Sequence, residues 1–424
     1  MKKVFYGWWI TAATFLTFGL SVGLPYYNIS FFYDYFAKNF HWTKAQITFG
    51  FPLAAIPTII IGPMLIHRFS PRKLIVVGTG LTGLALFSFG AMGGNLWVYW
   101  GIWFIYMAGY IFSGPIPHQI IVSQWFRKLR GTAMGIVYVG VGLVGFLGSY
   151  LVKPMAENLG FQTALMIMGG MLLLAWPVAI FFIRDRPADK GLYPDGASTP
   201  PAEIKARSHN FKELLSHYPF WLLLLGSFCS IGSIGAVNFH MKFVFEDQMA
   251  PSIARGSPEF QALLNSTWRA ASMIILASSI VGRLAVGGLA DLLSKKWVMT
   301  ATYFIVAATI PIMLISMPPD TPWAFALLFG LGMGADYMLI PLMAAEQFGV
   351  NSLARCMAVI LPVNTIGQTW FPYAVSLIRE RYGNYTIAMG TVFTVAMIGA
   401  ISVLVLPRRP RPEQMLAAGP PAKA

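Results

Sequence analysis

Charge is scarce in this sequence. Only 11% of its 424 residues are charged, and just 16 are acidic, whereas soluble domains carry roughly a quarter charged residues. Hydrophobic residues make up 56% and mean hydropathy is +0.63. That much apolar surface cannot be hidden in one water-facing core, so a soluble globular protein is excluded. The two cysteines, Cys229 and Cys356, lie in or beside apolar segments with neither disulfide-framework nor metal-ligand spacing, and packing is their expected role. A nucleophile–base constellation, a phosphate-binding glycine loop and a metal-ligand cluster are all missing. Their absence disfavours an ATP-driven pump or a membrane enzyme and leaves no bound cofactor or metal to expect. The net charge of +14 does not point to nucleic acid, because Lys and Arg sit in short clusters between apolar stretches rather than along one face.

Those apolar stretches are what the sequence does have. A helix needs about 20 apolar residues to cross the hydrocarbon core, and twelve stretches qualify. The first six run from Trp8 to Phe32, Gln46 to Ile66, Leu74 to Met92, Leu96 to Ser123, Thr132 to Val152 and Thr163 to Ile183. The second six run from Pro219 to Phe245, Leu263 to Leu292, Trp297 to Met317, Pro322 to Ala345, Cys356 to Ile378 and Tyr385 to Leu406. The opening stretch is too long for a signal-peptide core and lacks a cleavage site, so it reads as the first span. The expected division is an N-terminal six-helix bundle over 1–183, a polar, proline-containing linker over 184–218, a C-terminal bundle over 219–406 and a disordered tail over 407–424. With both termini cytoplasmic, about 21 of the 30 basic residues fall on the cytoplasmic side and about 8 on the other, the asymmetry that the positive-inside rule requires.

The two halves resemble each other. The turn after the second span contains Gly62-Pro63 and Arg68-Phe69-Ser70-Pro71-Arg72-Lys73; its counterpart after the eighth reads Gly287-Gly288-Leu289-Ala290-Asp291 and ends in Lys295-Lys296. After the fourth span comes Trp125-Phe126-Arg127-Lys128-Leu129-Arg130-Gly131, matched after the tenth by Gln347-Phe348-Gly349 and Leu353-Ala354-Arg355. Two landmarks recurring in one order predict a parallel repeat. The expected fold is therefore an all-α membrane protein of twelve helices, in two six-helix bundles related by a pseudo-two-fold axis along the membrane normal.

On these turns the chain resembles the major facilitator superfamily, whose signature between spans 2 and 3 is Gly-x-Leu-Ala-Asp-Arg-x-Gly-Arg-Arg. Here His67 replaces the acid and Ser70 the second glycine, while the second-half copy keeps Asp291. Tyr6-Gly7-Trp8-Trp9, the Trp125-Phe126 to Gly131-x-Ala133-x-Gly135 turn, and Gly282-Arg283 resemble the monocarboxylate transporters and the oxalate/formate antiporters. The resemblance implies that Arg283 holds a substrate carboxylate. Departures stand at Ser279, where the animal members carry an acid, and at Tyr26, where they carry a lysine.

Physical cost points to the same residue. Insertion scales charge about 2.5–3.5 kcal/mol for an arginine in mid-span. Arg283 is too central to reach either surface, so it needs an anion or a structural partner. Asp336, in the tenth span, is the expected counter-charge: a carboxylate that rests on Arg283 in the empty carrier and takes a proton when substrate arrives. The alternative is a permanent salt bridge between spans 8 and 10. Tyr337, Asn28, Tyr110, His118, Asn364 and Gln368 are candidate substrate contacts, each with an interhelical hydrogen bond as the competing role. His240 and Lys242 are expected at a solvated outer mouth. Arg68, Arg72, Arg127, Arg130, Asp291, Glu346 and Arg355 are expected to form helix-end ion pairs that close an inner gate.

Together these features predict a secondary transporter of the cytoplasmic (inner) membrane, working as a monomer by proton-coupled symport of a small monocarboxylate. The competing expectation is an exporter or exchanger of another organic solute, either a dicarboxylate or an aromatic, drug-like compound. The partners implied are a small organic anion, a proton and membrane lipid.

Overall fold

The computed structural model describes residues 4–56, 69–198, 209–249, 257–315 and 322–407. The described part of every span expected from the sequence falls on a helix. We number them α1 (Tyr6–Phe40), α2 (Lys44–Ala55), α3 (Pro71–Ala91), α4 (Leu96–Trp125), α5 (Arg130–Asn158), α6 (Phe161–Phe181), α7 (Tyr218–Met249), α8 (Pro258–Leu292), α9 (Lys295–Ile315), α10 (Pro322–Phe348), α11 (Val350–Tyr382) and α12 (Tyr385–Val405). Eleven of these are long and apolar enough to cross a membrane. The exception is α2, because the rest of the second expected span lies outside the described residues, together with Arg68. Several helices outrun the apolar stretch that announced them, such as α8, which begins at Pro258 behind a Ser257 cap. Helical hydrogen bonding continues past the hydrocarbon core wherever the chain can still cap it.

The same packing order appears twice. α1 lies on α5 as α7 lies on α11, α3 touches α4 and α6 as α9 touches α10 and α12, and α2 meets α4 as α8 meets α10. This is the arrangement of two six-helix bundles related by a pseudo-two-fold axis along the membrane normal. In lipid, close packing and hydrogen bonds rather than water exclusion drive such association.

The cores show where the halves join. On the side facing away from the linker each half has its own apolar core: Phe36, Phe89, Tyr99 and Trp103 in the first, Phe245, Phe260, Phe325 and Phe329 in the second. On the linker side one core is shared, with Trp125, Met134 and Val137 packed in a cluster with Ala290, Met338 and Leu353. The molecule is closed at the linker end.

Three of the described helices are broken where proline removes a backbone donor; one is α6, interrupted at Leu173–Leu174 ahead of Pro177. α4 kinks at Gly114, ahead of Pro115 and Pro117. The Ser113 carbonyl would normally accept from the N–H of residue 117, which proline lacks; Ser21 Oγ of α1 donates to it instead at 2.7 Å. α1 widens into a π-helical turn over Gly19–Gly23, just before Pro25. Single π turns of this kind concentrate at functional sites.

Candidate functional site

The two halves meet most intimately along α5 and α8, and glycine is what lets them. A Cβ on Gly131 would collide with the Gly287 carbonyl, and one on Gly135 with the Arg283 carbonyl. Farther along the same stripe, a Cβ on Gly142 would stand 2.8 Å from Arg283 Nη1. The arginine therefore reaches out of the second half and lays its guanidinium across α5 of the first.

Arg283 is 9% exposed. Its Nε and Nη1 are buried and meet no hydrogen-bond acceptor among the described residues. The expected salt bridge to Asp336 is not formed. Asp336 is fully buried on another face of α10, where Ser230 Oγ of α7 donates to its Oδ2 at 2.6 Å and the Tyr303 hydroxyl of α9 is its other polar neighbour. Its Oδ1 has no partner. The physical reason is rotation: Arg283 points from α8 towards α5, whereas Asp336 points from α10 towards α7 and α9. Both charges stand unmatched, in separate places.

One polar neighbour of Arg283 is a phenol. Tyr138 of α5 is close enough to feel the guanidinium's charge. Tyr110, Tyr26 and Tyr138 of α4, α1 and α5 are electrostatic neighbours of Tyr337 of α10, and Tyr26 and Tyr138 are also neighbours of Tyr110. Tyr26 is 42% exposed, which leaves part of this cluster open to a solute. Tyr337 Oη donates to Gln368 Oε1 of α11 at 2.8 Å, and Gln119 Nε2 donates to Tyr138 Oη.

The other candidates hold helices together. His118 is fully buried, stacked on Phe18, with Nδ1 2.8 Å from the Gly114 carbonyl and Nε2 2.9 Å from Thr17 Oγ1. The carbonyl can only accept, so Nδ1 carries a proton. Asn28 donates to the Leu24 and Gly145 carbonyls and so ties α1 to α5. Asn364 accepts from Ser227 of α7 at 3.1 Å. His240 is not at a solvated mouth: it is 2% exposed, held between Tyr385 Oη and the Pro372 carbonyl, since α11 and α12 fold over it. Lys242 lies over the Trp268 ring at 5.2 Å.

At the linker end one acid bridges the halves. Asp291 Oδ1 accepts from Gly131 N at 2.6 Å, and its Oδ2 accepts from Thr132 N and Thr132 Oγ1, each at 2.7 Å. It caps α5, which has no side-chain cap of its own, and it sets a negative charge on the positive end of that helix. Among the remaining gate candidates one forms a helix-end ion pair and others cap or bond backbone groups. Glu346 pairs with Lys295 at 3.1 Å. The backbone N–H groups of Arg72 and Arg127 are capped by the linker acids Asp185 and Asp195. Arg130 donates to the Phe126 and Ser123 carbonyls while lying among the charges of Asp195, Asp291 and Glu346. Arg355 Nη1 donates to the His209 carbonyl at 3.0 Å. Tyr138, Gln119, Ser230 and Tyr303 are additions that the apolar runs gave no reason to single out.

The chain is similar to the multi-drug resistance efflux pump PmrA of Streptococcus pneumoniae, 26% identical over 93% of both chains. It is also similar to MFS transporter asaE of Aspergillus flavus, 24% identical over 95% of this chain and 85% of the relative. Monocarboxylate transporter 11 of Mus musculus is 22% identical over 95% of this chain and 88% of its own. Among solved structures, the MFS transporter FucP in the outward conformation superposes with a TM-score of 0.68 at 16% identity, covering 94% of this chain and 99% of that one. A bacterial homologue of ferroportin in an outward-facing state gives 0.68 at 10% identity, over 95% and 99%. The family model described as Major Facilitator Superfamily matches residues 11–372. With that match, the repeated packing and the site between its halves, the chain belongs to the Major Facilitator Superfamily and is a transporter rather than an enzyme.

Proposed function

We propose that this transporter carries a small monocarboxylate together with a proton, by alternating access between the half-bundles 1–183 and 219–406. The observation that carries the reading is Arg283, a buried guanidinium without an acceptor, seated where the halves meet. Its planar donors suit a carboxylate. Among the described residues no second Lys or Arg stands beside it in the middle of the α5–α8 contact, so one carboxylate is favoured over two: a dicarboxylate would bury its other charge unpaired. Relatives named as monocarboxylate transporters support the same class.

Tyr337, Tyr110 and Gln368 are the proposed neighbours of the rest of the solute, while Asn28, His118 and Asn364 keep the helices around it in place. Asp336 is the proposed proton carrier. It would act on Arg283 through the backbone rather than by contact, because Gly334 of α10 lies on the Ser279 carbonyl of α8 and Gly282 of α8 on the Leu331 carbonyl of α10. Asp291, Arg130 and the neighbouring basic residues form the proposed inner gate. The linker and both termini are assigned to the cytoplasm, the bilayer to the cytoplasmic (inner) membrane, and the working unit to the monomer.

A second reading, export of an aromatic or drug-like solute, is favoured by the tyrosine cluster and by the efflux proteins among the relatives. Uptake of labelled lactate, pyruvate, acetate, oxalate and formate into proteoliposomes, with and without an inward proton gradient, separates the two. Gradient-driven accumulation of a monocarboxylate is expected. Exchange that ignores the gradient would replace symport by antiport, and no uptake of any acid by folded protein would favour the aromatic solute.

A further inference from the structure

We infer that Tyr138 is the first half's own ligand for the carboxylate that Arg283 binds, and that Gly142 sets the position of the guanidinium by leaving open the space it fills. The inference rests on the carboxylate reading above. Tyr138 and Gly142 lie four residues apart on α5 and so share a face. That face is turned to α8: Gly135 lies against the Arg283 carbonyl, and the place of a Gly142 Cβ is 2.8 Å from Nη1 and 3.9 Å from Cζ of the same arginine.

The phenol is prepared to donate. Its oxygen already accepts from Gln119 Nε2, its ring meets Phe18 edge-on at 5.2 Å, and no described residue accepts its O–H. Gln119 Oε1 is buried without a partner among the described residues, and Tyr138 is the partner of its Nε2. A carboxylate offers about four lone-pair sites. The guanidinium cannot fill them all, and a phenol from the opposite half, close enough to feel the guanidinium's charge, is a neutral donor that would complete the set. An anion held from both sides ties the halves together at mid-membrane, where the glycine-lined contact alone leaves Arg283 unmatched.

The test is concentration-dependent uptake of labelled pyruvate and phenylpyruvate by proteoliposomes containing wild type, Tyr138→Phe, Gly142→Ala or Arg283→Ala, each checked for a monodisperse elution profile. Tyr138→Phe keeps the ring on Phe18 but removes both the proposed hydrogen bond to a charged group and the acceptor of Gln119 Nε2, a contact away from the carboxylate, so KM rises about 10-fold with maximal rate within about twofold. Gly142→Ala displaces the guanidinium and raises KM by at least as much. KM within twofold of wild type in both variants, with Arg283→Ala inactive, would overturn this inference and leave the carboxylate reading standing. A lowered maximal rate at unchanged KM would also overturn it, by making Tyr138 a packing residue. Undiminished uptake by Arg283→Ala would remove the carboxylate reading itself.

Discussion

Replacing Asp291 by alanine removes an acid that joins the two halves at the linker end. Two backbone N–H groups of α5 and one hydroxyl lose their acceptor at once. A lost N-cap costs about 0.5–2 kcal/mol and a lost charge at a helix N-terminus about 0.3–1 kcal/mol. Together they amount to roughly 2 kcal/mol, withdrawn from the linker-closed state because the proposed opening of the inner gate parts α5 from Asp291. At 1.4 kcal/mol per factor of ten, the ratio of linker-closed to linker-open molecules falls about 30-fold. Spin labels on Leu129→Cys and Leu293→Cys, exposed positions on either side of the contact, would report it in a background with Cys229 and Cys356 replaced by alanine. The distance distribution is expected to gain a long component in Asp291→Ala. An unchanged distribution in protein of unchanged melting temperature would refute the latch.

Other consequences follow from individual contacts. Asp336→Asn is expected to lose uphill, proton-driven uptake yet keep exchange of internal for external substrate; intact uphill uptake would remove Asp336 as the proton carrier. Ser21→Ala leaves the Ser113 carbonyl without its replacement donor, so detergent-solubilised protein should lose about 1–3 kcal/mol of stability, read as a lower melting temperature. Gly131→Val would drive a branched side chain into the Gly287 carbonyl; the label distance across the linker end should then lengthen as it does for Asp291→Ala, and an unchanged distance would contradict the close α5–α8 contact.

The spans were legible because lipid leaves so little freedom: a backbone crossing hydrocarbon must satisfy its own hydrogen bonds, so each long apolar run becomes a helix. Arg283 was legible for the related reason that a charge inside such a run is costly enough to need a purpose. Its partner was not. Periodicity says which residues share a face of one helix, as Tyr138 and Gly142 do, but it cannot say which neighbour that face meets. Asp336 was therefore matched with Arg283 by depth alone, although α10 turns it towards Ser230 and Tyr303. Gly142 could be counted among the many glycines of α5, but its use became visible only once the guanidinium lay over it. Asp291 stood out through the repeated turn, whereas its partners, the N–H groups of Gly131 and Thr132, are backbone atoms that no side-chain pattern announces.

Arg283 carries the central claim, and equilibrium-free uptake is the most direct probe of it. Initial rates of pyruvate entry into proteoliposomes should be compared among wild type, Arg283→Lys and Arg283→Ala at equal protein and equal inward proton gradient. The account predicts that alanine abolishes saturable entry and that lysine, a point charge without the planar fork, restores it only weakly and at a raised KM. Saturable entry through Arg283→Ala at the wild-type rate would contradict it and make the guanidinium a packing element between α5 and α8.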